Sequence, residues 1–291
     1  MEQNPNLALS PTPPPAPTGT VTGDQAKMLQ RLNAVLARFE ITIAEANELV
    51  VLQDYEIVVI ADDSGSMRSA AAPAHMRQIG QPSPTRWDEL KHTVSEMVEL
   101  ASCFDESGID IFFLNRPPLL EVKTSAGANF ARAFEALPMG STPLTETLQQ
   151  VAQRTAGERP VLLFVMTDGM PNGGPGPFIS MVKQLTAPGA KSKIRMQIMA
   201  CTSEESEISW LNALDADLQE VDVTDDYFAE RQEVLKAGRV TKFTRGDWCM
   251  KAMLGPVSSK FDGWDERHAG GGGATPAGAG QDGCGGGCSC Q

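Results

Sequence analysis

Aromatic residues are scarce in this sequence, 6% of its 291 positions, so a core has to be packed mainly from Val, Ile, Leu, Met and Ala. Those residues are present in sufficient number, since hydrophobic types make up 41% of the chain. Histidine is scarcer still. His75 falls in a predicted loop, His92 on a predicted helix and His268 near the C-terminus, and none stands in a triad-like relation to a nucleophile. No G-x-S-x-G elbow occurs, and no phosphate-cradling glycine pattern links a predicted strand to a helix. These absences speak against catalysis. Basic residues are in the minority, 24 Lys and Arg against 37 Asp and Glu for a net charge of -13, which disfavours a nucleic-acid partner, because such binding neutralises phosphates. No run approaches the ~20 apolar residues needed to span a bilayer. The first 22 residues show neither a basic segment nor an apolar one of the secretory kind, so a cytoplasmic protein with mostly free thiols is expected. Cys103, Cys201 and Cys249 then read as small core residues.

What is present organises into five segments. Residues 1–23 form a Pro-rich leader expected to be disordered. Residues 24–53 read as a short helical prefix: Met28, Leu29, Leu32, Val35 and Leu36 recur at helical spacing, and Thr42 with Glu45 has the form of a capping box. From 54 to 238, apolar runs alternate with amphipathic stretches. Strands are expected at 57–61, 109–114, 120–123, 161–166, 194–200 and 219–223, and helices near 87–104, 128–137, 143–155, 177–186, 206–214 and 226–237. Runs such as Ile57-Val58-Val59-Ile60-Ala61 lack the period-two alternation of a half-exposed strand, as strands covered on both faces do. The fold class that follows is a doubly wound α/β domain with a mostly parallel sheet flanked by helices. Residues 239–268 are expected to pack back on this domain, and 269–291 to form a Gly/Cys-rich flexible tail.

The first strand runs into Asp62-Asp63-Ser64-Gly65-Ser66, giving a D-x-S-x-S spacing where an open α/β sheet binds its ligands. Gly140-Ser141-Thr142 precedes a predicted helix, and Asp168 follows a later strand. Asp, Ser and Gly in one turn are ordinary loop chemistry taken alone; three segments each ending in a hydroxyl or carboxylate at an element boundary are a stronger signal.

In this order, Asp62, Ser64, Ser66, Thr142 and Asp168 resemble the metal ion-dependent adhesion site of von Willebrand factor type A domains, over roughly residues 55–237. The resemblance implies a Rossmann-like fold and a bound Mg²⁺ or Mn²⁺. Ser64, Ser66 and Thr142 would be direct ligands, with Asp62 and Asp168 acting mainly through water. It also implies a protein partner whose exposed Asp or Glu completes the coordination sphere. Mg²⁺ takes oxygen ligands and gives up its waters reluctantly, and neutral hydroxyls would leave it the positive charge to attract a carboxylate.

Two other readings stand beside this one. A Mg²⁺-dependent phosphatase or hydrolase on a similar fold would need a second carboxylate where Ser64 stands. A structural scaffold would use the cluster to hold loops together without docking a partner. Arg68, His75 and Arg77, in the long loop 67–85, are candidate rim residues for an acidic partner. Cys284, Cys288 and Cys290 close the tail. Lipidation, soft-metal capture and a plain linker all fit them, and membrane attachment would follow only from the first. Arg245-Gly246-Asp247 spells an integrin-recognition tripeptide, but its place before an apolar helical pattern makes it a helix start.

Overall fold

The apolar runs become strands because each can be covered from both sides. In the computed structural model, residues 23–71 and 83–262 are described, apart from positions 106, 158, 188, 191–192, 203, 212–213, 215–217, 219 and 239. The leader, the tail cysteines Cys284, Cys288 and Cys290, and His75, Arg77 and His268 lie outside the described residues.

Strands β1 (Glu56–Ala61), β2 (Ile109–Phe113), β3 (Leu119–Val122), β4 (Val161–Thr167), β5 (Ile194–Ala200) and β6 (Val221–Thr224) form one sheet in the order β3-β2-β1-β4-β5-β6. All neighbours pair in parallel except β2 and the edge strand β3, which are antiparallel. Strand order runs outward in opposite directions from β1 and β4, so the topological switch point lies between them, and their carboxyl ends flank the natural crevice. The doubly wound α/β expectation therefore holds.

Alternate side chains of the central strands feed two cores. Ile57, Val59 and Ala61 of β1, with Leu162, Phe164 and Met166 of β4, face one layer; Val58, Ile60, Leu163 and Val165 face the other. The second layer is closed by α5 (Leu144–Arg154) and α6 (Pro175–Thr186), through Leu148, Val151, Phe178 and Val182. The first is closed by α3 (Arg86–Ala101) together with elements from both ends of the described chain. These are α1 (Gly23–Arg38), α2 (Ile43–Glu48) and a C-terminal helix, Arg245–Leu254. Between them lie α4 (Ala128–Glu135), α7 (Glu205–Ile208) and α8 (Tyr227–Ala237), which makes Arg245–Leu254 α9. No helix among the described residues is long and apolar enough to cross a membrane.

Local signals explain several boundaries. Thr42 caps α2 with the reciprocal bond from Glu45 that the sequence suggested, and Thr85 with Asp88 does the same for α3. Leu29 belongs to the apolar spacing of α1 yet is 52% exposed, while Val35 and Leu36, nearer the end of that helix, are buried. The integrin-like tripeptide is consumed by the fold. Asp247 completes a capping box with Thr244, and Arg245 stacks on Tyr227 and Trp248 while pairing with Glu89 and Glu96 of α3.

Gly246 shows how closely α9 meets the N-terminal helices. A Cβ at this position would lie 1.8 Å from the Phe39 carbonyl oxygen, on backbone that cannot swing aside. Gly246→Ala is therefore expected to destabilise the protein by about 2 kcal/mol, within the usual range for overpacking. A urea unfolding midpoint equal to that of the parent protein would show that the two segments do not touch in this way.

Candidate metal centre

The cluster begins where β1 stops being apolar. Asp62 is fully buried just past Ala61, and its backbone N–H still bonds Met166 of β4, so the strand pair carries it to the rim of the sheet. One carboxylate oxygen accepts the Ser64 N–H at 2.8 Å and the other accepts the Thr167 hydroxyl at 2.7 Å. Ser64 and Ser66 present hydroxyls 3.0 Å apart, and Ser66 donates to Asp168 at 2.8 Å. The structure thus brings Asp62, Ser64, Ser66 and Asp168 together at the switch point, on strands distant in sequence.

Thr142 is drawn in through its loop. Gly65 N–H bonds the Gly140 carbonyl at 3.1 Å, tying the serine turn to the Thr142 segment. Asn172 clasps the same segment from the Asp168 side: its side-chain oxygen accepts the Thr142 N–H, its own N–H donates to the Thr142 carbonyl, and its amide nitrogen donates to the Ser141 hydroxyl. No hydrogen bond occupies the Thr142 hydroxyl among the described residues. Gly140 is required here on two counts. Its φ is +108°, and a Cβ would fall 2.4 Å from the side-chain oxygen of Asn115.

Three parts of the arrangement were not read from the sequence. Asp63, also fully buried, points away from Asp62 and is held by the Asn115 N–H and the Arg116 guanidinium. Arg116 in turn lies over Trp87 and Phe113 and donates to the carbonyls at the end of α4. Arg86, the first residue of α3, reaches past the carboxyl ends of β4 and β5 to Asp168 at 2.8 Å, Thr202 at 2.7 Å and Glu207 at 2.9 Å. A doubled aspartate after β1 and an arginine at a helix start were the available hints, but neither carries a local pattern that names its partner. Of the predicted rim residues, Arg68 is exposed and donates to the Pro138 carbonyl at 2.7 Å, bracing the loop that leads to Thr142.

The electrostatics set the two aspartates apart. Burial pushes the Asp62 carboxyl up to about 6; the bonds from Ser64 and Thr167 work against the rise and the charge of Asp168 adds to it. Arg86 is affected first by burial, which would lower its pKa, but the bond and charge of Asp168, with Glu207, carry it above its ordinary value. Asp168 therefore has an internal counter-ion, whereas the hydrogen-bond partners of Asp62 are neutral.

No family model matches this chain, and none of the curated proteins compared with it matches.

The donor set fits a hard divalent cation better than a soft one. Among the described residues no group of three or more His, Cys, Asp or Glu side chains could hold a metal, so a cation at this place has to rest largely on hydroxyl oxygen. Cys201, at the end of β5, offers no thiolate, because burial and then the charges of Asp168 and Asp62 push its thiol well up. What the residues lack is positive charge beside Asp62, and a cation would supply it.

Proposed function

We propose that this cluster is a divalent-cation site through which the protein docks an acidic side chain of a protein partner. The observation that carries the reading is the convergence of two serine hydroxyls and two buried carboxylates at the switch point, one carboxylate lacking a counter-ion. Ser64, Ser66 and Thr142 would hold Mg²⁺ or Mn²⁺, with Asp62 and Asp168 orienting hydroxyls and water around it, as outer groups do in metal sites generally. The bound cation would supply Lewis acidity toward an incoming carboxylate. The resemblance to the metal ion-dependent adhesion site of von Willebrand factor type A domains supports the same reading, in which the protein acts as a binding module.

Calorimetric titration of Mg²⁺ and Mn²⁺ into metal-free protein is expected to show saturable binding that Asp62→Ala abolishes. Since the site needs Asp62 ionised, affinity should weaken about tenfold for each pH unit below 6. Near pH 6 binding should also release a fraction of a proton, visible as heats that differ between buffers of different ionisation enthalpy. Heats with no saturation in the parent protein would reject the cation site.

The pairing of Arg86 with Asp168 favours a second reading, a scaffold in which the cluster only ties loops together. Thr142→Ala separates the two, because its hydroxyl makes no bond among the described residues. Docking predicts weaker metal and partner binding at nearly unchanged stability; the scaffold predicts that cation binding survives the substitution or that stability falls along with it.

A further inference from the structure

A groove of about 540 Å³ opens beside the metal face, between the β2–β3 connection, the end of α4 and the loop leading to Thr142. Its walls include Leu119, Leu137 and Met139 together with Arg116 and Arg132. Leu137 and Met139 are 67% and 63% exposed and stand two residues apart on the same wall, an apolar pair open to solvent. Among the described residues the only carboxylate in the lining is Asp63, and Arg116 already holds it. Arg132 is exposed and makes no ion pair among the described residues. The groove therefore carries a surplus positive charge on a protein whose net charge is -13.

The groove is also continuous with the metal face. Met139 N–H bonds the Asp63 carbonyl at 2.7 Å, and the Asn115 amide donates to the Ser141 carbonyl at 2.8 Å, so its wall and the Thr142 loop form one connected surface. Met170, in the loop after Asp168, adds a further exposed apolar side chain, 51% exposed.

From this surface we infer the kind of partner segment the protein takes: an extended acidic stretch of another protein. One carboxylate reaches the strand-end site, a neighbouring apolar side chain covers Leu137 and Met139, and a second carboxylate meets Arg132. The charge argues for acidity, the exposed pair for the apolar residue, and the continuity of the two surfaces for a single segment spanning both. The inference rests on the cation-docking reading for its first contact, while the groove contacts stand on their own observations.

The test uses a displayed library of random linear peptides, selected on the immobilised full chain in Mg²⁺. Enriched peptides are synthesised and titrated against the parent protein, Arg132→Glu, Met139→Asp and Ser66→Ala, with and without chelator. The expected peptides combine a Leu, Ile, Met or Phe with two acidic residues. Arg132→Glu and Met139→Asp should each weaken them about tenfold, with the affinity for Mg²⁺ alone unchanged. Both positions are exposed, so these variants should fold. Peptides that need Mg²⁺ and Ser66 but ignore both groove variants would overturn the groove and leave the cation reading standing. Peptides weakened by the groove variants but indifferent to chelator and to Ser66→Ala would support the groove and reject the cation reading. Absence of enrichment, or enrichment without acidic and apolar residues, would overturn the inference.

Discussion

Arg86→Met is expected to cost the metal-free protein about 3–5 kcal/mol at pH 7.5, the usual penalty for removing one partner of a buried ion pair. Asp168 is 1% exposed and its Arg86 partner 6% exposed, so the carboxylate left behind would keep the Ser66 hydroxyl but lose its counter-ion. Methionine retains much of the side-chain bulk, which limits the cavity contribution. Arg86→Lys should recover only part of the loss, since one ammonium cannot bond Asp168, Thr202 and Glu207 in the way a planar guanidinium does. Adding Asp168→Asn to Arg86→Met should restore most of the stability by removing the stranded charge. Saturating Mg²⁺ should also raise the unfolding midpoint of Arg86→Met by more than it raises the parent's, because a cation would replace some of the lost positive charge. Denaturant melts of the four proteins decide this, and a single-variant loss below about 1 kcal/mol would mean that the pair contributes no more than one on the surface.

The second large effect has the opposite sign. Asp62→Asn is expected to stabilise the metal-free protein at pH 7.5 by up to about 3 kcal/mol, the equivalent of moving a carboxyl from its ordinary 3.8 to about 6. Because the folded value is the higher one, the folded chain holds a proton on Asp62 that the unfolded chain has released. The stability associated with this proton is complete below pH 4 and is lost as pH rises through about 6. Above that pH the ionised, desolvated carboxylate is a standing cost. Asparagine avoids it and fits, since the Thr167 hydroxyl can turn from donating to accepting and still reach the Gly169 carbonyl. The variant should therefore flatten the stability profile between pH 4 and 7, and it should lose its response to Mg²⁺. A profile that is the same in parent and variant would show that burial does not raise Asp62.

The pair of substitutions separates what sequence reading could reach from what it could not. The strands were legible because full burial leaves a local mark, an uninterrupted apolar run, as at 161–166. The helix cap at Thr42 was legible because a capping box is completed within four residues, while the equivalent box of Thr85 with Asp88 was not read. D-x-S-x-S, Thr142 and Asp168 stood out because each interrupts apolar packing at an element boundary. The order of the sheet is not written locally, since it depends on which strands pair across the chain. Arg86 with Asp168, and Asp63 with Arg116, are likewise long-range pairs: neither residue has a sequence neighbour that announces its partner. Some helix ends differed by one or two residues where ends fray, α4 stopping at Glu135 and α5 at Arg154, but α3 stops at Ala101 rather than at the expected 104 and α7 at Ile208 rather than at 214. The exposure of Leu29 shows the reverse failure, an apolar spacing that runs on past the surface available to cover it.

The meeting of Gly246 with the Phe39 carbonyl has a consequence for how the chain acquires its structure during synthesis. Val35, Leu36 and Phe39 share one core with Trp248, Met250 and Met253, so the apolar face of α1 waits through the synthesis of about 210 further residues, by sequence separation, before α9 can cover it. Contacts this distant in sequence are slow to form. During that interval the α5–α6 side of the sheet should be able to assemble while the opposite side stays open to chaperones, until α9 emerges and seals it.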